Sequence, residues 1–188
     1  MKMAKRILTF IFIGIFSILI LLIGYFYITW NSITIDENLS KQTIYKTFDH
    51  QKQESIFGGE SDEIKTNNFR VKTDSLEGEY FSCHLSNNTF LKITFSAGDG
   101  YSGGGYNIDI INNRYRVSPY HYTDNIKPFT LFDDEEYYKI INTKLILNKD
   151  SYKKGDSIFG YAELKIQKRY GPEKYFVEGK GYFKGIIQ

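Results

Sequence analysis

The stretch Tyr106-Asn107-Ile108-Asp109-Ile110-Ile111-Asn112-Asn113-Arg114-Tyr115-Arg116-Val117 decides the fold. Tyr106, Ile108 and Ile110 share one face, the two-residue period of a strand with one buried side. Asn112-Asn113 tolerates the positive φ values that a tight hairpin turn demands, and Tyr115 and Val117 resume the alternation on the returning strand. An antiparallel hairpin is predicted here.

The same period extends in both directions. Upstream, Phe81, Cys83 and Leu85 alternate with Tyr80, Ser82 and His84, and after Asn87-Asn88 the residues Leu91, Ile93 and Phe95 alternate with Lys92 and Thr94. That is a first hairpin, joined to the next by a glycine-rich run, Gly98 to Gly105, expected as a mobile loop. Downstream comes a loop with Pro119, Pro128 and the acidic run Asp133 to Glu136, followed by alternation through Ile141, Thr143, Leu145 and Leu147. Ile158, Gly160, Ala162, Leu164 and Ile166 form one face of the next strand, and a turn at Gly171-Pro172 leads to the last. There Val177, Gly179, Gly181, Phe183, Gly185 and Ile187 share a face, and glycines so placed imply close approach of a bulky neighbour or a bend. Six or seven short strands over residues 75–188 predict an all-β antiparallel β-sandwich, with a small closed β-barrel as the alternative.

The segment Leu145-Ile146-Leu147-Asn148-Lys149-Asp150-Ser151-Tyr152-Lys153-Lys154-Gly155-Asp156-Ser157-Ile158 resembles the strand, turn and strand of bacterial envelope immunoglobulin-like and macroglobulin-like modules, over residues 145–164. Tyr152, Gly155 and Asp156 carry the likeness, while Lys154 stands where those modules have Pro. The resemblance implies an immunoglobulin-like sandwich and brings no catalytic residue.

At the other end of the chain, Ile7 to Ile28 are 22 uncharged residues, 16 of them Ile, Leu or Phe. Such a helix is about 33 Å long against a hydrocarbon core of about 30 Å, so residues 7–28 are expected to cross a membrane. Tyr25, Tyr27 and Trp30 would lie in the headgroup belt. Lys2, Lys5 and Arg6 favour a cytoplasmic N-terminus for residues 1–6, which puts the rest of the chain outside. A cleaved secretory signal is the competing expectation, but its apolar core is usually about 7–15 residues and ends in a small-residue site that Gly24 to Trp30 lack. With 25 Ile, 12 Asn and three Ala the composition suits an AT-rich bacterial genome, so the expected address is the cytoplasmic (inner) membrane of a bacterium with the C-terminal part periplasmic or extracellular.

Lys and Arg number 24 and Asp and Glu 22 in the 188 residues, a net charge of +2 that excludes nucleic-acid binding driven by bulk charge. Every acidic residue lies beyond Trp30, so the outer part is almost neutral. Cys83 is the single cysteine; no internal disulfide is available and the residue is expected in the core. Residues 29–74 are polar with scattered apolar positions and predict a stalk, in which Leu39, Tyr45 and Phe48 suggest one face of a short helix before Gly58-Gly59.

Chemistry-bearing clusters are sparse. The glycine run lacks the Gly-Lys-Ser/Thr ending of a phosphate loop, and Asp99 with Asp109 lacks the spacing of a calcium loop. His50, His84 and His121 have no partner at zinc spacing, and no nucleophile elbow is present, so neither cofactor nor metal is expected and an enzyme is disfavoured. Arg114, Arg116, Tyr120, His121 and Tyr122, with Tyr101 nearby, concentrate the Tyr and Arg side chains that dominate recognition surfaces. The expected function is therefore a membrane-anchored binding module for an envelope or extracellular protein or a surface glycan, an immunity-type protein being one subset. A barrel carrying a lipid or other small ligand is the alternative, and a hydrolase built from dispersed residues comes third.

Overall fold

A computed structural model describes residues 2–54, 60–73, 79–87, 90–99, 101–124, 137–170 and 173–188. Two compact units emerge, residues 1–31 and 32–188. The first is the helix α1 (Lys2–Thr29), whose Thr9–Thr29 stretch is long and apolar enough to span a membrane. Its described Ile and Leu side chains are all exposed, with Phe10, Phe12 and Phe16, the pattern expected where lipid is the solvent.

The second unit, here the head, contains two principal sheets. After the two-residue strands β1 (Asn31–Ser32) and β2 (Thr34–Ile35) come a 3-10 turn at Leu39–Lys41 and the short helix α2 (Thr43–Phe48). Strands β3 (Lys52–Glu54) and β4 (Glu60–Ile64) form a small ribbon of their own. The remaining strands are β5 (Arg70–Thr73), β6 (Glu79–Tyr80), β7 (Ser82–Asn87), β8 (Leu91–Gly98), β9 (Ser102–Ile111), β10 (Arg114–Thr123), β11 (Tyr137–Leu147), β12 (Ser157–Tyr170) and β13 (Glu173–Ile186). The first sheet has its long strands in the order β10-β9-β8-β7, with β1 on the β10 edge, and the second runs β2-β11-β12-β13-β5-β6. The sheets remain separate ladders, so the head is sandwich-like and the closed barrel is ruled out. A barrel abolishes its edges by pairing the end strands; here β10, β7, β2 and β6 lie at or next to open ends.

The hairpin read from Tyr106 to Val117 forms as expected: β9 and β10 pair antiparallel through Ile111 and Arg114, and Asn112 and Asn113 have φ of 48° and 59°. Inward residues of both sheets share one core. Phe95 meets Phe183 across it at 5.6 Å, Phe69 stacks on Phe95 at 4.1 Å, and Phe81 and Tyr106 close around Phe69. Each such ring contributes about 1.5–3 kcal/mol on burial, so this cluster is the main source of cohesion in a head without a disulfide. Cys83 is half-buried beside the core opposite Phe95, and burial pushes its thiol well above the ordinary range.

Glycines make the tight packing possible. A Cβ on Gly160 would meet the Phe183 ring at 2.0 Å, one on Gly181 the Phe69 Cα at 2.3 Å, and one on Gly185 the Leu85 Cδ1 at 2.5 Å. The bulky neighbours expected along the glycine face of β13 are thus Phe69, Leu164 and Leu85.

Four expectations change. Residues 29–74 do not form a polar stalk: the head begins at Ser32 in place of residue 75, and Leu39, Tyr45, Phe48, Phe69 and Val71 are all buried. The physical reason is that the few apolar positions of this stretch are spent economically, Phe69 and Val71 in the main core and the other three beneath α2. Tyr45 and Phe48 pack with Leu39 on Ile146, Phe159 and Tyr182, covering one end of the second sheet's outer face. The Tyr45 hydroxyl donates to the Gly160 carbonyl (2.9 Å), and Lys184 Nζ donates to the Tyr45 carbonyl (2.9 Å) and Asp49 Oδ1 (2.5 Å), which ties the helix down. Secondly, Gly98 and Gly103 to Gly105 belong to strands, Gly98 pairing with Gly103 and Ala97 with Gly104, so only the turn between them is loop. Thirdly, β11 carries a bulge between Ile140 and Asn142; Ile140 packs inward, Ile141 is exposed, and the inward face resumes at Thr143, Leu145 and Leu147. Lastly, the two-residue β6 joins the seven strands expected over residues 75–188, which are β7 to β13, and β1 to β5 come from the stretch before them. Gly58-Gly59, the acidic run Asp133 to Glu136 and the turn at Gly171-Pro172 lie outside the described residues.

Candidate functional site

Strand β10 sets the geometry. Tyr115 and Val117 point into the core, so Arg114, Arg116, Ser118, Tyr120 and Tyr122 share the outer face of the first sheet. The pairing of four antiparallel strands then arranges that face in rows. Arg116 stands beside Asp109, Lys92 and Ser86; Ser118 beside Asn107, Thr94 and His84; Tyr120 beside Gly105, Ser96 and Ser82. Tyr122 ends the series beside Gly103 and Gly98.

Each row is internally bonded. Lys92 Nζ lies 3.4 Å from Asp109 Oδ1, which leaves Arg116, an exposed cation, at the end of a positive, negative, positive row. Thr94 Oγ1 donates to Asn107 Oδ1 at 2.9 Å, and the Ser82 and Ser96 hydroxyls meet at 2.8 Å. Tyr120 is partly buried and hydrogen-bonds Ser96, and burial pushes its hydroxyl up. The Tyr122 hydroxyl sits 2.6 Å from where a Cβ would stand on Gly98 and on Gly103, so the ring can lie across the strands only because both positions are bare.

Four of the six expected recognition residues therefore come together on one face: Arg114, Arg116, Tyr120 and Tyr122. His121 does not join them, because an odd step along the strand turns it to the opposite side, where it is exposed beyond the end of the core. Tyr101 lies in the turn between β8 and β9, 74% exposed, its carbonyl accepting from Asp124 N–H at 2.9 Å just past the Tyr122 end of β10. Arg114 and Tyr122 are eight residues apart, about 26 Å along the strand, so the face has a basic end and an aromatic end.

Other candidates separate. Asp99 caps its own turn, accepting from the Tyr101 and Ser102 N–H groups at 2.9 and 2.7 Å, and these bonds hold its carboxyl below the usual range. Asp109 sits ten residues further along, in β9 beside Lys92, so the two acids share no cation. Among the described residues no group of three or more His, Cys, Asp or Glu is placed to hold a metal ion. Ser82 Oγ lies 3.4 Å from His84 Nε2, but that hydroxyl donates to the Ser96 carbonyl at 3.0 Å.

Sequence reasoning missed Asp109, Lys92, Asn107, Thr94 and Ser96 as members of this face. The signal was present, since fixing the turn at Asn112-Asn113 places Asp109 opposite Arg116. The chain is thus a two-sheet, sandwich-like head preceded by one apolar N-terminal helix. It matches no family model, no curated protein and no solved structure.

Proposed function

We propose that the chain is a single-pass bacterial envelope protein whose helix stays in the cytoplasmic membrane, N-terminus inside, and whose head is an interaction module outside it. The observation that carries this reading is the first sheet's outer face, where Arg114, Arg116, Tyr120 and Tyr122 stand on one strand above bonded rows of polar side chains. Tyr and Arg offer large contact area with a polar or charged end, the combination that recognition surfaces use. The occupant of that face is another envelope or extracellular protein or a surface glycan, and a toxin met by an immunity-type protein is one case.

The test is site-directed crosslinking from position 118, at the centre of the face, in intact cells. A discrete adduct formed by the native chain and lost on joint replacement of Arg114, Arg116, Tyr120 and Tyr122 by Ala is the expected result. Indifference of the adduct to that replacement, with thermal unfolding unchanged, overturns the assignment of the face. N-terminal sequencing of the mature protein tests the anchor separately, since a start near Asn31 would mean cleavage. The immunoglobulin-like part of the reading draws support from the turn after β11: Tyr152 donates to Asn148 Oδ1 (2.8 Å), Gly155 has φ of +90°, and Asp156 accepts from Lys153 N–H.

A further inference from the structure

The outer face of the second sheet has a charge pattern that the head as a whole does not share. Register places Lys144, Glu163, Lys180 and Arg70 in one row and Asn142, Lys165, Glu178 and Lys72 in the next. Lys139 with Gln167 and Phe176 follows, then Arg169 with Lys174. Eight cations and two carboxylates thus occupy one face, within about 15 by 20 Å. Seven of the eight are exposed, and Lys165 is partly so. The head is almost neutral in total, so its other residues together carry net negative charge.

Two of these cross-strand pairs, Arg70 with Lys180 and Arg169 with Lys174, set like charges opposite each other, an arrangement that weakens a sheet. Lys165, Lys180 and Lys72 together hold the Glu178 carboxyl below its ordinary range, as a positive field does. Phe176, 40% exposed, and the partly exposed Tyr161 add rings to this face, tyrosine being a residue that settles at a membrane interface. Helix α2 covers the other end of the face, over Ile146, Phe159 and Tyr182.

We infer that this face is a docking surface for the anionic headgroups of a lipid bilayer. Charge complementarity is the main ground: a sheet face that carries eight cations and two carboxylates suits a polyanionic surface. Reach is the second. In a chain whose helix spans the membrane, the last helical residue, Thr29, is only three positions from the start of the head, so lipid is the one polyanion held beside it at all times. The inference rests on that anchored reading.

Lysine footprinting of the full chain in vesicles tests it. The protein is reconstituted in neutral phosphatidylcholine and in phosphatidylcholine containing about one third phosphatidylglycerol, then acetylated and mapped by mass spectrometry. Lys72, Lys139, Lys144, Lys174 and Lys180 should label about threefold or more slowly in the anionic vesicles, with Lys153 and Lys154 of the turn before β12 unchanged. Raising salt to about 1 M, where the Debye length is about 3 Å, should remove the difference. Equal labelling in the two vesicles overturns the docking while leaving the anchor intact. Protection that follows protein density in neutral vesicles assigns the face to a second copy, and stronger protection by soluble polyphosphate assigns it to a polymer; either overturns the inference. Release of the chain by alkaline carbonate takes down the anchored reading itself, and the docking with it.

Discussion

Gly181 and Gly185 face the same core but exclude a methyl group for different reasons. At Gly181 the obstruction is the Phe69 backbone, which cannot move without shifting β5, whereas at Gly185 it is the end of the Leu85 side chain. Gly181→Ala should therefore cost about 2–3 kcal/mol in thermal or urea unfolding and Gly185→Ala about 1 kcal/mol or less. Equal costs would mean that the backbone yields. Phe69 itself is fully buried, and Phe69→Ala should cost about 3–5 kcal/mol through the cavity it leaves. Its importance is hard to read from the chain, since Asn67, Asn68 and Arg70 surround it with polarity. Buried tyrosines give a pH dependence. Burial raises the Tyr152 hydroxyl to about 12 and pushes Tyr45 up as well, so the unfolded chain loses these protons first, near the ordinary value of about 10. Stability is fully present below pH of about 10 and falls as pH rises toward about 12. An unfolding midpoint that stays constant across that window would contradict the burial of both rings.

Strand β11 shows how far periodicity goes at the level of the element. Ile141, Thr143, Leu145 and Leu147 keep a perfect alternation, yet the bulge between Ile140 and Asn142 leaves Ile141 outside. Nothing in the local sequence marks an extra residue, because Ile stands at both 140 and 141 and either choice preserves the pattern. Ile141→Ser is accordingly expected to change stability by no more than about 0.5 kcal/mol, and Leu145→Ala to cost about 2–5 kcal/mol. Chemical denaturation of the pair decides between the bulged and the unbulged register. The hairpin at Asn112-Asn113 is the opposite case, legible because two adjacent residues tolerant of positive φ admit few alternatives. Part of the candidate face follows from it: once that register is fixed, the partners of Arg116 and Tyr120 on β9 follow by counting, while the exclusion of His121 follows from parity alone.

At the scale of the molecule, the boundary of the head matters most for experiment. A fragment beginning at residue 75 lacks Leu39, Tyr45, Phe48, Phe69 and Val71, removes β5 from beside β13 and uncovers Phe159. Such a fragment should show lost near-ultraviolet circular dichroism and should aggregate, and one beginning at Ser32 should give a cooperative transition. The long-range order behind this was invisible to local patterning, because β5 is short and one of its two neighbours in the sheet, β13, lies about a hundred residues later. That placement governs biosynthesis too. Strand β13 is inserted between β12 and β5, so the sheet that α2 rests on is incomplete until residues 173–186 have been made. At a translation rate of about 5–20 residues per second, the earlier strands wait about 5–20 seconds beyond residue 73 with their greasy edges open. A chaperone that shelters nascent chains would be most needed in that interval, and the final strand is the one whose arrival ends it.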